Sequence, residues 1–253
     1  MLKRQRSMMR QTSVARQVDA VRGGAGGPFN PKTLGDLKVW LDATDVAGTG
    51  TNLASGTVVT SWKDKSDYKY HATGIGNPVL SHTAMNGKPG FLLNGTMTFF
   101  GEVFSNTGTA VTAFAVARVD STSGGAGRIV SLGSAGDDVM LYVGVPLLAY
   151  VGNIRSYRQG YKSSKGIPAF NTPFYASSVF DGTDSTVYVN GIAGTTVAAG
   201  GGAFNMSQYG IGGHAGRWDF LIGGVSEVLV YNASLSTTDR QTIETYLATK
   251  WGI

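Results

Sequence analysis

Along most of the 253-residue chain, apolar side chains alternate with polar ones or gather in short runs, and only near the C-terminus does the spacing lengthen to a helical period. Leu37, Val39 and Leu41 alternate with Lys38, Trp40 and Asp42. Val58 to Trp62, Phe91 to Leu93, Met97 to Phe100, Arg128 to Leu132, Val139 to Val145, Tyr175 to Phe180 and Thr186 to Val189 read as further strands between turn-forming residues. The run VTAFAVARV at 111 to 119 is almost continuously apolar, which predicts a central strand packed on both faces. Asn190-Gly191, inside VYVNGIAG, is the clearest two-residue hairpin signal and favours a type I′ turn. Strands recurring in this way predict an all-β, two-sheet antiparallel sandwich.

The C-terminal stretch from Gly224 is the best specified. Val225, Val228, Leu229, Val230 and Tyr231 form a buried strand, and Asn232 to Ser236 supply the corner. Ser236 is a good N-cap, with Asp239 completing a capping box and placing a negative charge in the first turn. Ile243, Leu247 and Trp251 recur every four residues beside Tyr246, so the helix carries one apolar stripe. Lys250 and Gly252 mark its end. Such a stripe must lie on something, and the rest of the chain is β.

Charge changes the picture at the other terminus. Lys3, Arg4, Arg6, Arg10, Arg16 and Arg22 face only Asp19 in the first 22 residues, so the net charge of +5 belongs to an arm and the remainder is balanced. Met8 or Met9, Val14, Val18 and Val21 give that arm one apolar side if it is helical. Gly23, Gly24, Gly26 and Gly27 form a joint that Pro28 and Pro31 end, which divides the chain into an arm at 1–30 and one domain at 31–253. Cysteine is absent, so no disulfide or thiolate site is expected. No apolar stretch approaches a membrane span, and no apolar segment follows the basic N-terminus as a secretory signal requires. His71, His82 and His214 show no metal-ligand spacing.

WLDATD at 40–45, SWKDKSDYKYHAT at 61–73, NGKPGFLLNG at 86–95, VYVNG at 187–191, IGG at 211–213 and the whole stretch from Gly223 to Ile253 together resemble the concanavalin A-like lectin/glucanase superfamily. The nearest resemblance is to the laminin-G-like domains of bacterial and viral proteins. It covers the chain from about Pro31 onward and implies a jelly-roll sandwich of two curved sheets, with the arm outside it.

Glycosidases of that superfamily carry a Glu-x-Asp-x-Glu strand, and hydrolysis needs two carboxylates flanking the bond. Glu102, Glu227 and Glu244 are the only glutamates, none sits in such a motif, and neither Glu227 nor Glu244 has an evident partner. The chain is therefore expected not to be an enzyme. Sugar-binding members use aromatic faces and short polar side chains in loops, and many hold Ca²⁺. The resemblance thus points to Trp62, Asp64 and Asp67 in one loop and to His214, Arg217, Trp218 and Asp219 in another as ligand-binding candidates. Asp137 and Asp138 are the candidate Ca²⁺ ligands. Each has a plainer reading as a packing or turn residue. Between Tyr150 and Pro173, Arg155, Arg158, Lys162 and Lys165 interleave with Tyr157 and Tyr161, which reads either as a nucleic-acid or glycan contact or as a solvated hairpin.

Three functions follow as expectations. The first is a non-enzymatic virion structural protein, such as a phage capsid decoration, head-fibre or tail-associated protein. Its arm (Lys3, Arg4, Arg6, Met8, Met9, Arg10, Arg16, Arg22) would dock on other virion or capsid proteins as part of a homo-oligomeric assembly, with the lectin-like domain turned toward host glycans. The second is a soluble or cell-surface carbohydrate-binding adhesion module. The third is nucleic-acid binding by the arm inside a particle, which the neutral domain supports with no second basic surface.

Overall fold

The computed structural model describes residues 29–102, 107–121, 127–133, 139–143, 153–158, 161–166, 168–200, 203–214 and 219–253. The basic arm, Asp137, Asp138, Arg217 and Trp218 lie outside these described residues.

In chain order the first strands are β1 (Leu37–Asp42), β2 (Ser61–Trp62), β3 (Ala72–Ile75), β4 (Leu80–Met85), β5 (Lys88–Asn94), β6 (Thr98–Glu102), β7 (Thr107–Gly108) and β8 (Val111–Ser121). The middle of the chain gives β9 (Gly127–Leu132), β10 (Val139–Val143), β11 (Asn153–Arg158), β12 (Tyr161–Gly166), β13 (Phe174–Phe180) and β14 (Asp184–Val189). Then come β15 (Ile192–Ala193), β16 (Val197–Ala198), β17 (Phe204–Asn205), β18 (Gln208–Ile211) and β19 (Ile222–Tyr231), and one α-helix, α1 (Thr237–Trp251), closes the chain.

Two antiparallel sheets make the sandwich. One runs β15-β14-β13-β8-β19-β5-β4, with β1 also on β19 and β16 on β14. The other runs β12-β11-β10-β9-β18-β6-β3-β2. As the apolar run predicts, β8 is central, between β13 and β19, and is buried over most of its length. β19 is long enough to serve two partners along one edge: β5 pairs with Ile222 to Val225, and β1 with Glu227 to Tyr231. The Asn190-Gly191 hairpin forms, with Asn190 at φ 48° and Gly191 at φ 76° as a type I′ turn demands. The backbone of β11 and β12 pairs as a hairpin in the smaller sheet.

The core lies between the sheets. Trp62 packs against Phe91 and Phe99 with ring centroids 4.7 and 5.2 Å apart, joining β2 and β6 of one sheet to β5 of the other. Both lateral openings are stitched: Thr195 N–H donates to Ser164 O on one side, and Lys65 N–H to Trp40 O on the other.

Helix α1 starts and stops as its sequence requires. Ser236 Oγ accepts from Asp239 N–H at 3.1 Å and donates to the Asp239 carboxylate, and Gly252 ends the helix at φ 70°. Ile243, Leu247 and Trp251 are fully buried on the outer face of the larger sheet. Burial of Ile and Leu side chains of this kind stabilises by about 1.5–3 kcal/mol each. Because α1 covers this face, Trp40 and Asp42, the polar-phase residues of β1, are buried as well.

Candidate functional site

The side of the sandwich where β1 meets the end of β2 is organised by two buried carboxylates, Asp64 and Glu227. Asp64 follows β2 and forms an isolated bridge with Leu41. Its Oδ1 accepts from the Trp40 and Ser66 amides, and its Oδ2 accepts from Ser66 Oγ and the Tyr70 amide, all within 2.6–2.8 Å. Its own amide donates to His71 Nδ1 at 3.1 Å. Four donors to a carboxylate that is 2% exposed fix the backbone from 64 to 71 as a rigid turn.

That turn presents Asp67 and Tyr68 to solvent. The Asp67 side chain is 83% exposed and the Tyr68 residue 48%. Tyr68 stacks beside Tyr70 with centroids 5.5 Å apart and planes 18° from parallel. Lys38 reaches the Tyr68 hydroxyl and holds its ammonium 4.0 Å from the ring centroid. Across from them runs the segment that enters the domain, where Phe29 packs on Tyr246 and Pro31 O accepts from Tyr231 Oη. Between the two lies an open cleft of about 310 Å³, lined by Lys32, Leu34, Gly35, Asp36, Leu37, Asp67 and Tyr68. Lys32 Nζ spans its mouth to Asp67 Oδ1 at 2.6 Å, and this hydrogen bond and charge hold the Asp67 carboxyl below its ordinary range.

Glu227, behind the loop, is fully buried and saturated. It accepts from Trp40 Nε1 (2.8 Å), Tyr246 Oη (2.7 Å) and Trp251 Nε1 (2.6 Å), and Lys250 Nζ stands 2.8 Å away. The same ammonium lies 2.8 Å from Asp42, which also takes Lys65 at 3.0 Å and both donors of Thr44. Burial pushes the Asp42 carboxyl up, but Lys250 and Lys65 outweigh it and hold it at about 2. Glu244 has partners as well: Ser177 Oγ donates to it at 2.7 Å and Arg240 pairs with it at 2.6 Å. These contacts correct the reading of Glu227 and Glu244 as carboxylates without evident partners. They lash α1 to β1, β13 and β19.

The loop candidates from sequence divide accordingly. Trp62 is wholly inside the core, so it offers no face to a sugar, and Asp64 has committed its oxygens to the turn. Asp67 alone of that set is exposed. In the other set, His214 is buried at 3%, and Asp219 turns at φ 57° to meet Arg128 at 3.2 Å. Among the described residues no group of three or more His, Asp or Glu is placed to hold a metal ion. Tyr68 and Tyr70, which sequence reasoning passed over, show the same basic-aromatic interleaving in KDKSDYKYH that drew attention to 155–165.

No protein-family model and no curated protein matches the sequence. Solved structures share the fold. Trypanosoma rangeli sialidase in complex with sialic acid superposes with a TM-score of 0.59 at 18% identity, over 96% of this chain and 39% of the sialidase. The botulinum neurotoxin serotype D binding domain gives 0.58 at 11% identity, over 83% of this chain and 50% of that one. A GH54 α-L-arabinofuranosidase gives 0.59 at 12% identity, over 77% and 51%. The chain thus spans about half or less of each of these proteins, and what they share with it is the all-β sandwich.

One expectation is corrected here. The missing Glu-x-Asp-x-Glu strand leads to the expectation of no catalysis, yet two of these neighbours, the sialidase and the arabinofuranosidase, are enzymes. The sandwich is a frame that enzymes also use, so it carries no argument against catalysis, and at these identities it assigns no activity either.

Proposed function

We propose that the domain is a carbohydrate-binding, lectin-like module of the concanavalin A-like kind, with its contact surface at the cleft beside Tyr68. One observation carries this reading: a half-exposed tyrosine, fixed by a rigid turn, stands over a cleft whose rim offers Lys32 and Asp67. A sugar presents C–H faces that pack on an aromatic ring and hydroxyls that bond charged side chains, and a preformed platform keeps the ordering cost low. Support also comes from the neighbours, since one is a sialidase holding sialic acid and another a neurotoxin binding domain. The test is a glycan array followed by NMR titration of the full chain. Binding that Tyr68→Ala and Asp67→Ala abolish supports the module, and binding indifferent to both, or no glycan binding at all, overturns it.

The charge confined to residues 1–22 favours a second reading of the arm, as an anchor that docks the module on a larger assembly such as a virion or capsid, where copies of the domain would face outward. Co-sedimentation of the full chain, but not of a version starting at Phe29, with particles from its source supports it. Equal behaviour of the two overturns it.

A further inference from the structure

The turn that carries Tyr68 and Asp67 closes on a histidine. Asp64 N–H can only donate, so the 3.1 Å contact makes His71 Nδ1 an acceptor and places the ring proton on Nε2. The His71 ring is exposed, and proton exchange with solvent needs no opening of the domain. A second proton would have to sit on Nδ1, facing another N–H, and the hydrogen bond that joins the first and last residues of the turn would be lost.

We propose that His71 is a proton-operated latch on the candidate binding loop, shut while the imidazole is neutral and released when it becomes cationic. The proton acts where the loop is anchored, since Asp64 holds Ser66 and Tyr70 through its carboxylate and Tyr68 N–H in turn donates to Ser66 Oγ; those bonds persist, so release frees the His71 end of the loop and leaves the Asp64 end in place. The charged groups that act on the ring are Lys63, Lys69 and Asp64; from β18 the Tyr209 hydroxyl meets the neighbouring residue, donating to Tyr70 O at 2.6 Å. Partial burial, then Lys63, and more weakly Lys69 lower the ring's pKa, while Asp64 opposes them. The balance is downward from the ordinary value, so release falls on the acid side of about 6.5.

The latch rests on the carbohydrate reading only for its consequence, a weaker ligand contact in acid; the loop itself is tested without ligand. The experiment follows the Asp64, Ser66 and Tyr70 amides and the His71 ring by NMR from about pH 7.5 to about pH 5. The Asp64 amide is expected to move with the ring's own titration. Its exchange with solvent should rise by roughly tenfold relative to a His71→Asn variant at the same pH, because asparagine sets a non-titrating acceptor near the Nδ1 position. An Asp64 amide that ignores the His71 titration overturns the latch, as does a His71→Asn chain that responds as the parent does. The parent chain alone decides the first point if the variant fails to fold. If the amide follows His71 in a chain that binds no saccharide, the latch stands and the carbohydrate reading falls.

Discussion

Lys250 Nζ, in the last turn of α1, stands 2.8 Å from the Glu227 carboxylate, which is entirely buried in β19. Burial works against the ammonium, but Glu227 and Asp42 together raise its pKa above the ordinary value. Removing one member of such a pair leaves the other buried without its charge partner. Lys250→Met should therefore cost about 3 kcal/mol, at the low end for a buried pair because Trp40, Tyr246 and Trp251 still serve Glu227. In a double-mutant cycle with Glu227→Leu, urea unfolding should show coupling of about 1–3 kcal/mol. Additive losses would mean that the pair does not act as a unit.

Asp42 ties the stability of the domain to acid pH. Its folded pKa of about 2 lies below the roughly 3.9 of an unfolded aspartate, so its ionised form stabilises the fold at neutral pH. By linkage that contribution, about 2.5 kcal/mol, is fully present above about pH 4 and disappears as pH falls toward 2. Asp42→Asn should lower stability at pH 7 and flatten the dependence between about pH 4 and 2. Denaturant midpoints measured across that range check it, and an unchanged slope would assign the acid sensitivity to other carboxylates.

How legible each part was in the sequence depended on how local its cause is. The ends of α1 could be read because Ser236, Asp239 and Gly252 act within a few residues of themselves. The alternation of β1 showed a strand but not that its Trp40 and Asp42 face would be roofed, since Trp40 reaches Glu227 across 187 positions. Within the stretches that carry the family resemblance, Trp40, Asp42, Asp64, Lys65, Glu227 and Lys250 belong to one buried polar network, so these residues speak of fold, while Asp67 and Tyr68 of the same loop are left exposed. Trp62 and Asp64 drew attention as loop residues with binding chemistry. Their burial depends on Phe91, Phe99 and Trp40, partners that are distant in sequence.

Trp62 and Tyr68, six residues apart, should therefore separate stability from recognition. Trp62→Ala opens the aromatic cluster between the sheets and should cost about 3–5 kcal/mol. Tyr68→Ala removes a half-exposed ring and should change stability by about 1 kcal/mol or less while removing glycan binding. Thermal unfolding beside an array measurement distinguishes them. A large stability loss from Tyr68→Ala would make it a packing residue and take away the platform.

Gly101 links the smaller sheet to the loop. A Cβ built on this β6 residue would lie 2.1 Å from the Tyr209 ring, whose hydroxyl donates to Tyr70 O in the loop. The ring is buried and packed, so it cannot swing aside freely, and burial together with the nearby Asp64 charge pushes its phenol well above the ordinary range, which keeps it a neutral donor. Gly101→Ala must displace the ring or the strand, at a cost of about 1–3 kcal/mol, and the displaced hydroxyl should release Tyr70. Tyr209→Phe removes the same hydrogen bond without the clash and should cost about 1 kcal/mol. If both variants weaken glycan binding while Tyr209→Phe leaves the unfolding transition nearly in place, the loop is held from β18 as well as from Asp64. If only Gly101→Ala disturbs binding, the damage comes from strand displacement, and the Tyr209 to Tyr70 contact contributes nothing to the site.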